Sequence, residues 1–197
     1  MAINFANIKS CFLGLAIGDG LGVPVEFRDR SFLKDFPVKE MLGYGSWNQP
    51  PGTWSDDSSL TFCLAESLVN GYSLHDIGKK FVAWYKEGYW GAHHKLFDIG
   101  GTTRASIERI SAGENPLFSG EPDESSNGNG ALMRITPAAL YFYNVSDDDG
   151  VECQECHEFI CGGNECPIRD YHRIRSRDVL LCGNCFEQCH ETVDRNL

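Results

Sequence analysis

The chain has 197 residues, 42% of them hydrophobic and 12% aromatic, which is enough apolar material for a core and argues against a disordered segment. Its formal charge of -11, from 28 acidic against 17 basic residues, disfavours a general grip on nucleic acid or on an anionic membrane surface. The amino-terminal MAINFANIKSCFLGLAIGDGLG lacks a basic leader and is broken by Asp19 and several glycines, so it reads as neither signal peptide nor membrane span, and a soluble, cytoplasmic protein is expected.

Apolar spacing predicts a first helix over Cys11 to Ile17 or starting somewhat earlier. A second runs from about Ser58 to Asn70, where Leu60, Cys63, Leu64, Leu68 and Val69 recur at helical spacing and Gly71 supplies a stop. Ser73 with Asp76 resembles an N-cap arrangement, and Ile77, Phe81, Trp84 and Tyr85 keep one apolar face until Gly88, so these two stretches read as an antiparallel pair. Another helix covers Thr102 to Ile110, and alternation with period two is scarce. The first 145 residues are therefore predicted to be an all-α domain. The acidic run Asn144 to Gly150 is a natural seam, with a linker over 146–152 and a separate cysteine-rich module over 153–197.

The stretch GTWSDDSSL, Gly52 to Leu60, sets Asp56 beside Asp57 at a predicted helix start in a chain already rich in acid. A helix dipole favours an anion there by roughly 0.3–1 kcal/mol, and one Asp would serve as N-cap. That leaves the other unexplained, because a cap needs a single acceptor. A hard divalent cation uses both, together with hydroxyl oxygens and water. His93 and His94 beside Lys95 read as a solvated surface, and the four tryptophans, Trp47, Trp54, Trp84 and Trp90, as core, although Trp54 could wall a cleft. Arg104 and Arg134 either meet phosphates or brace helices.

Four segments occur in a definite order: GLAIGDGLGVPVEF from Gly14 to Phe27, WSDDS from Trp54 to Ser58, DIGGTTR from Asp98 to Arg104, and GNGALMR from Gly128 to Arg134. Together they resemble the ADP-ribosylglycohydrolase family, all-helical hydrolases that remove ADP-ribose from modified targets. The resemblance implies that Ser55, Asp56 and Asp57, where the family usually has Thr-Asp-Asp, supply ligands to a pair of Mg²⁺ or Mn²⁺ ions. It assigns Glu26 as an acid or base near the metals, making Glu26, Asp56 and Asp57 the catalytic set. Asp98, Gly100, Gly128, Asn129, Gly130 and Met133 are expected to line the ADP-ribose cleft. The chemistry suits these residue types: glycosidic cleavage at the ribose passes through an oxocarbenium-like state and needs a placed water, a base and oriented ribose hydroxyls. The Gly-Asn-Gly segment either brings backbone N–H groups close to phosphate oxygens or is a simple turn.

The resemblance runs over about residues 10–143. Complete members carry a later Asp-Thr-Asp segment with the remaining metal ligands, and no such segment is present here. Asp147, Asp148 and Asp149 stand at the wrong place in the order to replace it. Three ligands hold two Mg²⁺ ions poorly, and the absent half would leave apolar helix faces uncovered. A shortened member that binds but hydrolyses poorly, completion by a partner or second copy, and a truncated product joined to a foreign tail all fit.

The tail reads VECQECHEFICGGNECPIRDYHRIRSRDVLLCGNCFEQCHETVDRNL and holds seven of the nine cysteines. Cys153 with Cys156 and Cys182 with Cys185 form two C-x2-C knuckles that suit tetrahedral Zn²⁺. Cys161, Cys166 and Cys189 with His172 or His190 offer a second zinc site in an interleaved order. Seven is an odd number for disulfides, and so short a tail can scarcely hold a core without metal. Its arginines are outnumbered by Asp and Glu, so a protein partner is expected rather than nucleic acid. Two functions stay open: a metal-dependent hydrolase that releases ADP-ribose, and a non-catalytic ADP-ribose-binding or zinc-finger interaction protein.

Overall fold

A computed structural model describes residues 4–120 and 129–141. The zinc-ligand candidates of the tail, Gly128 and the linker at 146–152 lie outside the described residues. Among the described residues every regular element is helical, and the one β-bridge, Tyr44 to Gln49, is isolated. The six α-helices are α1 (Phe5–Gly22), α2 (Arg30–Asp35), α3 (Asp56–Val69), α4 (Leu74–Glu87), α5 (Gly101–Ser111) and α6 (Thr136–Tyr141). Short 3-10 turns cover Val23–Val25, Ala92–His94, Pro116–Phe118 and Leu132–Arg134.

The core is the seam between α3, α4 and α5. Leu60, Cys63, Leu64 and Leu68 of α3 pack with Ile77, Phe81 and Trp84 of α4 and Ile107 of α5. Burying each large apolar side chain contributes roughly 1.5–3 kcal/mol, so this cluster dominates the domain's stability. The helix pair expected from periodicity is present, and its hinge is capped as expected: Ser73 Oγ accepts from the N–H of Asp76 at 3.2 Å. Helix α4 ends at Gly88, whose φ of 67° belongs to the left-handed region, and a Cβ there would come within 2.3 Å of the His94 carbonyl oxygen. Only glycine meets both demands.

Helix α1 is longer than its apolar spacing predicts, because Asn4 and Asn7 form a reciprocal capping box that starts it early. It is apolar on all sides, yet only Gly20 is buried, and Phe5, Leu13 and Ile17 are at least half exposed. Phe5–Val25 is long and apolar enough to cross a membrane by length and composition alone. The core helix of a soluble protein and a signal sequence pass the same test. Three further corrections concern residues expected in the core. Of the tryptophans only Trp84 is fully buried; Trp47 and Trp54 are half-buried and Trp90 is exposed. Helices α2 and α6, six residues each, are too short to announce themselves by periodicity.

Candidate active site

The acidic helix start is held by residues other than the two aspartates. Ser55 is the N-cap of α3, its hydroxyl accepting from the N–H of Asp57 at 3.3 Å. Asp19 reaches across from α1: its carboxylate accepts from the N–H of Ser55 and of Ser58, each at 3.0 Å, and from the Ser58 hydroxyl at 2.6 Å. The cap expected of one of the pair is thus supplied by Ser55 and Asp19. Asp57 is left with a carboxylate that no capping bond consumes, and Asp56 turns back only to its own backbone N–H.

These side chains line a cleft of about 750 Å³. Asp19 comes from α1, Glu26 and Phe27 from the loop after it, Ser55, Asp56 and Asp57 from α3, Asp98 and Gly100 from the approach to α5, and Asn129, Gly130 and Met133 from the turn before α6. All described residues predicted for the site therefore meet in one cavity. Trp54 does not line it; its indole N–H donates instead to the Trp90 carbonyl at 3.2 Å. Sequence reasoning passed over Asp19, although its setting between two glycines in the first segment marked a helix residue approached closely by another backbone: Gly20 lies against Gly52. It also passed over Arg28 and Arg30, which supply positive charge to the cleft wall.

Burial of so many acids raises their proton affinity. Asp56 is pushed from 3.8 up to about 8, first by desolvation, then by repulsion from Asp98, Asp57 and Asp19. Asp57 rises to about 6 through desolvation and the charges of Asp19 and Glu26. Asp98 rises to about 7 through desolvation, a carboxyl hydrogen bond to Glu26 and the surrounding charges. Arg134 is buried against the face of Phe81 at 5.0 Å and near Asp56, and neither it nor Arg104 lines the cleft.

The opposite wall is made for close approach. Gly100, the N-cap of α5, offers no side-chain cap, so the first N–H groups of that helix lack an acceptor within it, and Gly100 to Thr103 line the cleft. A Cβ on Gly130 would come within 2.9 Å of Thr103 Oγ1, which fixes that turn against the start of α5.

The donor chemistry of Ser55, Asp56 and Asp57 fits a hard divalent cation, since uncommitted, mutually repelling carboxylates gain most from one. The geometry supplies only part of a shell: among the described residues no three His, Cys, Asp or Glu side chains are grouped closely enough to enclose an ion.

Comparison with known proteins agrees with this arrangement. The sequence profile of the ADP-ribosylglycohydrolase family matches residues 2–159. The chain belongs to the ADP-ribosylglycohydrolase family. It is 37% identical over 137 residues to the ADP-ribosylarginine hydrolase Tri1 of Serratia proteamaculans, an alignment covering 68% of this chain and 36% of that protein. It is 33% identical over 133 residues to the ADP-ribosyl-[dinitrogen reductase] glycohydrolase of Rhodospirillum rubrum, covering 66% and 42%. A solved structure described as an ADP-ribosylglycohydrolase-related protein complex superimposes with a TM-score of 0.57 at 39% identity, over 71% of this chain and 44% of that one. The chain thus spans well under half the length of these family members.

Proposed function

We propose that this chain is the cleft-bearing portion of a metal-dependent hydrolase that removes ADP-ribose from modified protein, with ADP-ribosylated arginine the first target to test. The observation that carries the reading is one cavity in which uncommitted carboxylates on α3 face the uncapped amino end of α5. Ser55, Asp56 and Asp57 would hold Mg²⁺ or Mn²⁺, and the ion would polarise water and the ribose hydroxyls. Glu26 and Asp98, neighbours in the cleft, are the pair able to take and return a proton at the reacting water and the leaving group. The N–H groups at the start of α5 and the turn at Asn129 and Gly130 would receive the diphosphate, with Arg28 and Arg30 adding attraction. Arginine as target follows the names of the Tri1 relatives, from Serratia proteamaculans and Pseudomonas putida.

The second reading, binding without turnover, is favoured by the incomplete ion shell among the described residues. The cysteine-rich tail would in either case hold one or two zinc ions, on Cys153, Cys156, Cys182 and Cys185 and on Cys161, Cys166, Cys189 and His172, and would engage a protein partner in the cytoplasm. Thermal melting with Mg²⁺ or Mn²⁺ and ADP-ribose tests the cleft. A rise in Tm that disappears in the Asp56→Ala, Asp57→Ala double variant supports it, and no rise in the parent chain refutes it. Metal-dependent release of ADP-ribose from ADP-ribosylarginine, lost in Asp57→Ala, supports the hydrolase; binding without release selects the second reading. Elemental analysis decides the tail, with one or two zinc ions per chain expected.

A further inference from the structure

Trp47 lies in the loop between α2 and α3, twenty-one residues from Glu26, and does not line the cleft, yet it contacts both of the elements that deliver the cleft's carboxyl pair. Its indole Nε1–H donates a short hydrogen bond to Glu26 Oε2. Its ring is flanked by Phe27, the residue after Glu26, with centroids 6.0 Å apart, and by Phe97, the residue before Asp98, at 5.9 Å. The indole thus touches the neighbours of both acids, and Glu26 and Asp98 line the same cleft beside it.

The surrounding backbone is committed to this arrangement. Phe27 and Asp98 both adopt left-handed conformations, with φ of 60° and 54°. For a bulky residue such as Phe27 that is an uncommon and costly state, which persists only where neighbours over-determine it. Ser46, next to Trp47, donates its hydroxyl to the Glu26 carbonyl at 2.6 Å and its N–H to the Pro24 carbonyl at 2.9 Å. Side chain and backbone of the Glu26 segment are therefore both tethered to residues 46 and 47. An indole N–H is a donor with no acceptor capacity, so it aims one carboxylate oxygen and leaves the other for the cleft.

We propose that Trp47 is a positioning residue: its indole N–H fixes the direction of the Glu26 carboxylate, and its ring sets Glu26 and Asp98 at working separation. This rests on the hydrolase reading above, in which Glu26 and Asp98 handle the proton. Trp47→Phe keeps a ring between Phe27 and Phe97 and removes only the donor.

The test has two independent arms on the full chain. In ¹H–¹⁵N spectra the four tryptophans give four indole signals, and the one lost in Trp47→Phe is assigned. That signal is expected downfield in the parent and should move upfield in Glu26→Ala while the other three hold still; a Trp47 signal indifferent to Glu26→Ala overturns the proposal. In the second arm, Trp47→Phe should lower kcat on ADP-ribosylarginine by roughly 10- to 100-fold while leaving KM and Tm near parental values. An unchanged kcat, or a change confined to KM or Tm, overturns it. If the indole signal responds but the parent chain releases no ADP-ribose, the placement stands and the hydrolase reading fails instead.

Discussion

Helix α3 carries two acidic clusters, one at each end, and they have opposite electrostatic fates. At the outer end Glu66 receives hydrogen bonds from the Trp90 indole at 2.9 Å and the Tyr89 hydroxyl at 2.8 Å, and an ion pair from Lys80 at 3.4 Å. Its carboxyl is accordingly held below the ordinary value, chiefly by the Trp90 bond. Asp76 joins the same group through Ser67 and Lys80. At the inner end Asp19, Asp56, Asp57 and Asp98 repel one another, and although Arg28 and Arg30 stand on the cleft wall, three of the acids are pushed up. The outer cluster is a finished structure. The inner one stores unfavourable charge that a ligand can relieve, which is the physical meaning of a site as opposed to a surface ion pair.

The largest expected effect is on pH dependence. A carboxyl whose folded value is raised binds more protons folded than unfolded, so stability falls as pH climbs from the unfolded value near 3.8 toward the folded one, and is level beyond it. For Asp56 that window runs from 3.8 to about 8. Metal-free protein should lose several kcal/mol across it, and Asp56→Asn should flatten most of the loss. Denaturation in EDTA at pH 4 and pH 8 measures this; a parent chain equally stable at both values breaks the comparison. Addition of Mg²⁺ at pH 8 should raise Tm more than at pH 5, where Asp56, Asp57 and Asp98 hold protons.

A middle-sized effect belongs to the cap. Asp19→Ala leaves the N–H groups of Ser55 and Ser58 without their acceptor. Measured at pH 5, where little repulsion is left to relieve, it should cost about 1–2 kcal/mol. A stabilised variant would show that Asp19 is resident for its charge and not for its bonds. The smallest effect is at the outer end, where Lys80→Met should cost under about 1 kcal/mol and leave the slope between pH 4 and 8 as it was.

What could be read in the sequence follows from how far apart the cooperating residues lie. The α3 and α4 pair was legible because Leu60, Cys63, Leu64 and Leu68 signal a face within one stretch, and Ser73 signals its own cap three residues on. The cleft residues were legible only as wording: the four segments resemble a family, and nothing local says that Gly130 abuts Thr103 or that Asp98 meets Glu26. Asp19 escaped notice because it caps a helix 36 residues later, a relation without periodicity. Trp47 was read as core for the same reason, its partner being twenty-one residues earlier. Exposure of the apolar α1 was anticipated only in general form, as uncovered helix faces.

Asp19 has a further consequence because it sits on α1, a helix with little else buried. The bonds that start α3 are the same bonds that fasten α1 beside it. Detaching α1 would remove those bonds from the start of α3 and leave Ser55 as its cap, so the two walls of the cleft are energetically coupled. A change that loosens α1 is therefore felt at the acidic pair on α3, at the scale of the capping bonds it removes.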